Sequence, residues 1–314
     1  MKLKTKILLI IAAVIVIFAV ALAGVNIAAN SGEKIPILMY HHLVPDDVYT
    51  EMNYESNGSV ITTSDFEEQM SYLHDNGYQT YFMSELLAML QSDEPLPEKA
   101  VVLTFDDGYE SNYVYAHPIL QKYNLKANIA PVVKSTEDIT EENQKQYTDY
   151  DTPHLSFAQL QKMQESGVWE IGSHSYDGHG EITIDNKGKT GPFLNNHIAD
   201  PETKEVETDE EYLQRITDDL STSKKVLDVN LGEQDRFFVY PFGRYNKDLY
   251  NVVKNTGFSC AVTTQNGYAK KNSDLYALPR LGINNDVKDL GDFITIVSGK
   301  AKCVKFLKWS YKLL

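Results

Sequence analysis

Ala100-Val101-Val102-Leu103-Thr104-Phe105-Asp106-Asp107-Gly108 decides how this chain is read. Residues 100–105 are a short, nearly unbroken apolar run, the pattern of a strand buried on both faces of a parallel sheet. The run stops in two carboxylates and a glycine, and in parallel α/β folds ligands and reacting groups collect at the C-terminal ends of strands. Two adjacent bare carboxylates raise one another's pKa unless a cation intervenes. The stretch is therefore either a solvated Asp-Asp-Gly turn or part of a metal site, and the apolar strand in front of it favours the second.

Outward from this strand the same alternation repeats. Apolar runs at 37–40, 127–133, 168–172, 237–240 and 258–263 read as further strands. Amphipathic helices lie between them. Ser64 with Glu67, Ser156 with Gln159 and Thr208 with Glu211 have capping-box spacing, and Gly77, Gly167 and Gly257 stand where helix ends want a residue tolerant of positive φ. Phe66, Met70 and Leu73 share one helical face, as do Leu213, Ile216, Leu220 and Leu227, so both helices should lie against the sheet. Strand and helix in alternation imply parallel strands with helical crossovers, in an open sheet or a barrel. The polar, acidic stretch 176–209 breaks the pattern and reads as a long loop of the kind that is often functional.

The two ends differ from this body. Lys2, Lys4 and Lys6 precede an uncharged apolar run over 7–24, close to the roughly 20 residues that cross a bilayer as a helix. That is an export signal, read as an uncleaved anchor over residues 1–30, although Ala21-Leu22-Ala23 also offers a cleavage site. Positive charge stays inside, so the remainder faces out of the cytoplasm. At the other end Lys300, Lys302, Lys305, Lys308 and Lys312 alternate with apolar and aromatic residues over 299–314. This basic amphipathic tail either lies on an anionic membrane surface or packs as a last helix on the fold. The net charge is −15, and eight lysines with no acid fall in residues 1–6 and 300–314, which leaves −23 for the stretch between. So acidic a body excludes nucleic acid as a partner, because neutralising phosphates takes clustered Lys and Arg. Cys260 and Cys303 are too few for a disulfide scaffold, and Cys260 reads as a buried strand residue.

A second chemical cluster follows the strand at 168–172: His174-Ser175-Tyr176-Asp177-Gly178-His179. Asp107, His174 and His179 would give three protein ligands and leave a position open, the arrangement of a catalytic zinc. With Thr104-Phe105-Asp106-Asp107-Gly108-Tyr109, this cluster resembles the first two motifs of the polysaccharide deacetylases, the NodB-homology family of carbohydrate esterases. The resemblance spans roughly 36–285 and extends to Tyr240-Pro241-Phe242-Gly243 and Leu278-Pro279-Arg280-Leu281. It implies a distorted (β/α) barrel over 36–298, preceded by the membrane-spanning helix. By the same resemblance Asp106 is the catalytic base, Asp107, His174 and His179 bind a divalent metal, most simply Zn²⁺, and the backbone N–H of Phe242 is the oxyanion donor. Tyr240, Pro241, Phe242, His41 and Arg280 become substrate-binding candidates, though His41 could equally make only local hydrogen bonds.

Histidines five apart, together with Leu38-Met39-Tyr40-His41-His42, resemble the branch that acts on poly-β-1,6-N-acetylglucosamine. The implied reaction is hydrolysis of N-acetyl groups from an amino-sugar polysaccharide. Peptidoglycan or acetylxylan as substrate, and a glycan-binding module without activity, are the alternatives. Two departures from the family pattern stand out. Val239 occupies the place of the arginine that pairs with the base, leaving Arg236, Arg244 or Arg280 to substitute, and no histidine follows His197 to serve as general acid.

Overall fold

The computed structural model describes residues 34–54, 58–137, 139, 153–283, 287 and 289–299. The expected membrane helix and the basic tail, with Cys303, lie outside the described residues. Among the described residues no helix is long and apolar enough to cross a membrane.

The strands are β1 (Ile37–Tyr40), β2 (His42–Val44), β3 (Val60–Thr62), β4 (Gln79–Thr80), β5 (Ala100–Asp107), β6 (Ala127–Pro131), β7 (Trp169–Ile171), β8 (Glu181–Thr183), β9 (Thr190–Pro192), β10 (Phe238–Val239), β11 (Ala261–Asn266) and β12 (Leu278–Gly282). The helices are α1 (Asp46–Glu51), α2 (Thr63–Asp75), α3 (Met83–Gln91), α4 (His117–Tyr123), α5 (Val133–Glu137), α6 (Phe157–Glu165), α7 (Asp209–Leu231), α8 (Lys247–Asn255) and α9 (Leu290–Val297). The main sheet runs β10-β11-β12-β1-β5-β6-β7, all neighbours parallel, with β4 paired to the start of β5. It curls until its two edges meet at one parallel bridge, Ser173 to Phe238. The expected distorted barrel is thus a curled parallel sheet joined edge to edge at a single point.

Period-two alternation gives every strand a helix-facing and an inner face. Leu103 and Phe105 of β5 pack outward with Phe66, Met70, Leu120, Leu160 and Trp169. Val102 packs with Ile37, Val239, Val262 and Leu278, and α3 adds Met83, Leu86 and Leu90 to that cluster. Along this second face of β5 the residues run Val102, Thr104, Asp106, so the apolar filling gives way to polar groups toward the strand's C-terminal end.

The capping boxes at Ser156 and Thr208 are formed as the sequence implies, and Gly77, Gly167 and Gly257 all have positive φ. The third start lies two residues earlier than expected: Thr62 accepts from the Asp65 N–H and caps α2, while the Ser64 hydroxyl bonds the Asp46 carboxylate. In α7 the stripe is turned slightly from the one read in the sequence. Tyr212 is buried and Leu213 is 38% exposed, because Tyr212 reaches the carbonyl of Leu194 in the segment that precedes the helix.

That segment is not a structureless loop. β8 and β9 form an antiparallel hairpin, and Ala199 bridges Val206. Arg215 of α7 gathers it in, donating to the carbonyls of Phe193 and Asn196 and to both oxygens of Glu207 while its guanidinium lies 4.3 Å from the Phe193 ring centre. Polar composition hid this structure, since its backbone carbonyls are satisfied by side chains from later helices, Tyr212, Arg215 and Asn246.

Candidate active site

Four strand ends converge. Tyr40 leads out of β1 into His41, β5 ends in Asp106 and Asp107, β7 leads into His174, and β10 leads into Phe242. Strict alternation would send the two aspartates to opposite faces of the sheet. Asp107 escapes that rule by adopting φ +69°, in the left-handed region that Asp tolerates better than most residues, and Gly108 follows at φ +79°. Glycine is required there on a second count, because a Cβ would lie 2.6 Å from that of Pro131.

Asp106 is 2% exposed and both of its oxygens accept from Arg280, at 2.7 Å each. Burial would raise its pKa, but the Arg280 guanidinium outweighs this and holds the carboxyl below its ordinary range. Arg280 also donates to Thr104 Oγ1 and to the carbonyl of Thr263, so its fork is fixed from three sides. His41 Nε2 stands 3.9 Å from Asp106 Oδ2, with the His41 side chain 19% exposed.

Asp107, His174 and His179 come together with their ligand atoms all within 4.8 Å of one another. Asp107 Oδ1 is buried and accepts no hydrogen bond, although the two imidazole Nε2 atoms are 3.3 and 3.4 Å away. An orphaned carboxylate oxygen facing two ring nitrogens is the donor set of a divalent cation site. His174 Nδ1 is 2.8 Å from the carbonyl of Val239, a contact that assigns the proton to Nδ1 and leaves Nε2 as the ligating atom. Burial opposes charge on His174, yet the adjacent Asp107 carboxylate overrides it and raises the pKa. The proton so favoured lies where a cation would. Burial and the neighbouring His174 push His179 down to about 4, so that ring is neutral and free to ligate.

The remaining sequence candidates separate. Phe242 sits at φ +58° with its ring centre 4.6 Å from that of His179, so it borders the site. Tyr240 does not offer its side chain: it is fully buried and donates to the carbonyl of Tyr276. Pro241 is likewise buried. Arg280, expected to bind substrate, is 1% exposed and committed to Asp106. Of the three arginines that could replace the one missing at Val239, Arg236 is spent on Asp228 and on backbone carbonyls and Arg244 is exposed, which leaves Arg280. Two further residues lie near Asp107: Tyr109, the last residue of the first motif, and His154, which carried no signal in the sequence. Tyr109 has its pKa raised by burial and then by the Asp107 carboxylate, and His154 stacks on it at 5.4 Å. His154 follows no strand and lies 45 residues further along the chain, so only the fold reveals it.

The polysaccharide deacetylase family profile matches residues 93–261. A Bacillus subtilis (strain 168) protein, provisionally named polysaccharide deacetylase YxkH, is 33% identical over 251 residues, 80% of this chain and 72% of that one. The chain belongs to the polysaccharide deacetylase family. A second family relative, the poly-beta-1,6-N-acetyl-D-glucosamine N-deacetylase of Escherichia coli (strain K12), is 32% identical over 246 residues, 77% of this chain but 36% of that protein. The solved structure of a de-N-acetylase from Aggregatibacter actinomycetemcomitans matches with a TM-score of 0.71 at 25% identity, covering 84% of this chain and 100% of that chain. Relative to the family pattern, the pairing partner of Asp106 comes here from β12 instead of β10.

Proposed function

We propose that this chain is a metal-dependent hydrolase that removes N-acetyl groups from a β-1,6-linked N-acetylglucosamine polymer outside the cytoplasm. The observation that carries the reading is the buried, unpartnered Oδ1 of Asp107 facing His174 and His179, one residue from a carboxylate fixed by arginine. The named substrate of the Escherichia coli relative and the five-residue histidine spacing support the linkage.

Asp107, His174 and His179 would hold a divalent ion, zinc by the character of these donors, which would supply an activated water at neutral pH and polarisation of the acetyl carbonyl. Asp106 takes the proton of the attacking water. Arg280 orients that carboxylate and keeps it ionised, at some cost in basicity. The backbone N–H of Phe242 stabilises the oxyanion, a contribution typically about 100- to 1,000-fold in rate. The departing amine needs a proton, and His41 beside Asp106 supplies it in place of the absent final-motif histidine.

Acetate release from β-1,6 and β-1,4 N-acetylglucosamine oligomers and from acetylxylan, with Zn²⁺ added, tests the reading. The expected outcome is at least a tenfold preference for the β-1,6 oligomer. Equal rates on the first two remove the linkage, and no acetate from any of them leaves a glycan-binding module. His41→Ala should lower kcat about 100-fold without loss of metal; an unchanged kcat removes His41 from the proton path.

We place residues 1–30 as a membrane anchor, 36–298 as the catalytic domain outside the cytoplasm and 299–314 as a basic tail on the membrane surface, from the charge and apolar pattern of the two ends. Protease added to intact cells should remove the catalytic domain while the protein fractionates with membranes. Recovery of protected protein in the soluble fraction refutes this placement.

A further inference from the structure

His174 and His179 are five residues apart and sit in a loop, so no helical repeat sets the distance between their ring nitrogens. The curvature of residues 175–178 must do it. Ser175 turns the chain at φ +79°. The next two N–H groups then point the same way: Tyr176 N–H donates to Asp219 Oδ1 at 3.0 Å and Asp177 N–H to Asp219 Oδ2 at 2.8 Å. Asp219 belongs to α7 and is 8% exposed. One turn further along the same face, Ser223 is fully buried and accepts from Ser173 Oγ at 3.0 Å, and Ser173 Oγ in turn receives the Ser175 N–H at 3.2 Å. The loop is closed on its other side by the Gly178 N–H donating to Ser175 Oγ at 3.0 Å, and by Leu194, 2.7 Å from where a Gly178 Cβ would stand.

We infer that Asp219 is a positioning residue for the metal: its carboxylate clasps the loop between His174 and His179 onto α7 and thereby fixes the separation of the two ligating nitrogens. This rests on the metal reading given above. Asp219 touches neither histidine, and its effect passes through the two backbone N–H groups. Two buried donors side by side need two acceptors with parallel lone pairs, which a carboxylate provides and a carboxamide does not, since its NH₂ would face an N–H. Charge-assisted bonds to backbone N–H are also about twice as strong as neutral ones. The same helix face also holds the segment after His179, through Tyr212 on the Leu194 carbonyl and Arg215 on those of Phe193 and Asn196.

The test is zinc affinity of the full chain, by competition with a chromophoric chelator, for wild type, Asp219→Asn and the exposed neighbour Asp218→Asn as control for charge on the helix. Asp219→Asn should bind Zn²⁺ about 10- to 100-fold more weakly, the range for groups that orient metal ligands. The metal-free unfolding midpoint, measured beside the control, separates the cost of losing the two buried hydrogen bonds from the loss of metal affinity, and at saturating Zn²⁺ the KM for substrate should be unchanged. An affinity within threefold of wild type overturns the clasp. If Asp219→Asn does not fold, Ser223→Ala replaces it, with at least a threefold loss of affinity expected and none overturning the proposal. Wild-type protein that binds no zinc is a separate result, and it refutes the metal site itself.

Discussion

Asp107→Ala and His174→Ala should each lose both the metal and turnover, while Asp106→Asn should keep the metal and lose turnover by about 100- to 10,000-fold, the usual contribution of a positioned proton acceptor. The separation follows from geometry. Asp107 Oδ1 and His174 Nε2 belong to the three-atom cluster, whereas both oxygens of Asp106 are taken up by Arg280. Asparagine at 106 preserves size and one acceptor but cannot take a proton. Metal content after dialysis, measured beside acetate release, tells the two classes apart. An Asp106→Asn protein without metal, or a His174→Ala protein with normal turnover, contradicts the roles assigned here.

Arg280→Met should be the most destabilising single change in the site, by about 3–5 kcal/mol, the range for removing one partner of a buried ion pair. The side chain is fully buried and methionine fills most of its length, so the loss comes from stranding Asp106 as an uncompensated charge. For a domain of this size that corresponds to roughly 2–4 °C of Tm per kcal/mol. The sign with pH follows from the lowered pKa of Asp106. A carboxyl depressed in the folded state contributes stability above its unfolded value of about 3.9, and loses it as the pH falls through the folded value. In Arg280→Met the same carboxyl keeps its burial and loses the guanidinium, so its pKa rises and it takes up a proton as the pH falls; the Tm gap between wild type and Arg280→Met should be wide at pH 7 and narrower at pH 4. Adding Asp106→Asn should recover much of the loss, because no buried charge is then left unpaired. Equal Tm gaps at both pH values, with no recovery in the double variant, would mean that Arg280 acts through packing alone.

The parallel α/β architecture, and the grouping of Asp107, His174 and His179 as side chains that could hold a metal, are legible without the fold. Both are encoded locally: an apolar run such as 100–105 that ends in Asp106-Asp107-Gly108, and histidines placed just past the next strand but one, need no distant partner to be read. Helix starts at Ser156 and Thr208 were legible for the same reason, since a capping box is a contact between residues three apart. At α2 Thr62 and Ser64, two residues apart, both offer a hydroxyl for the cap, and Asp46, 18 residues from Ser64, decided it by engaging Ser64.

Every pairing across the fold, by contrast, depends on strand order. Arg280 serves Asp106 from a strand 174 residues later, and His41 stands beside the same carboxylate because β1 lies between β5 and β12. Asp219 looks in sequence like one more acid on a charged helix, and Tyr240 like a motif aromatic open to substrate. The fold makes the first an acceptor for two N–H groups of the loop between His174 and His179, and the second a core residue. The physical reason is the same throughout: periodicity and capping report which face of an element is buried, but the partner of a buried charge or an orphan N–H is set by strand order and sheet curvature, and a linear pattern does not contain either.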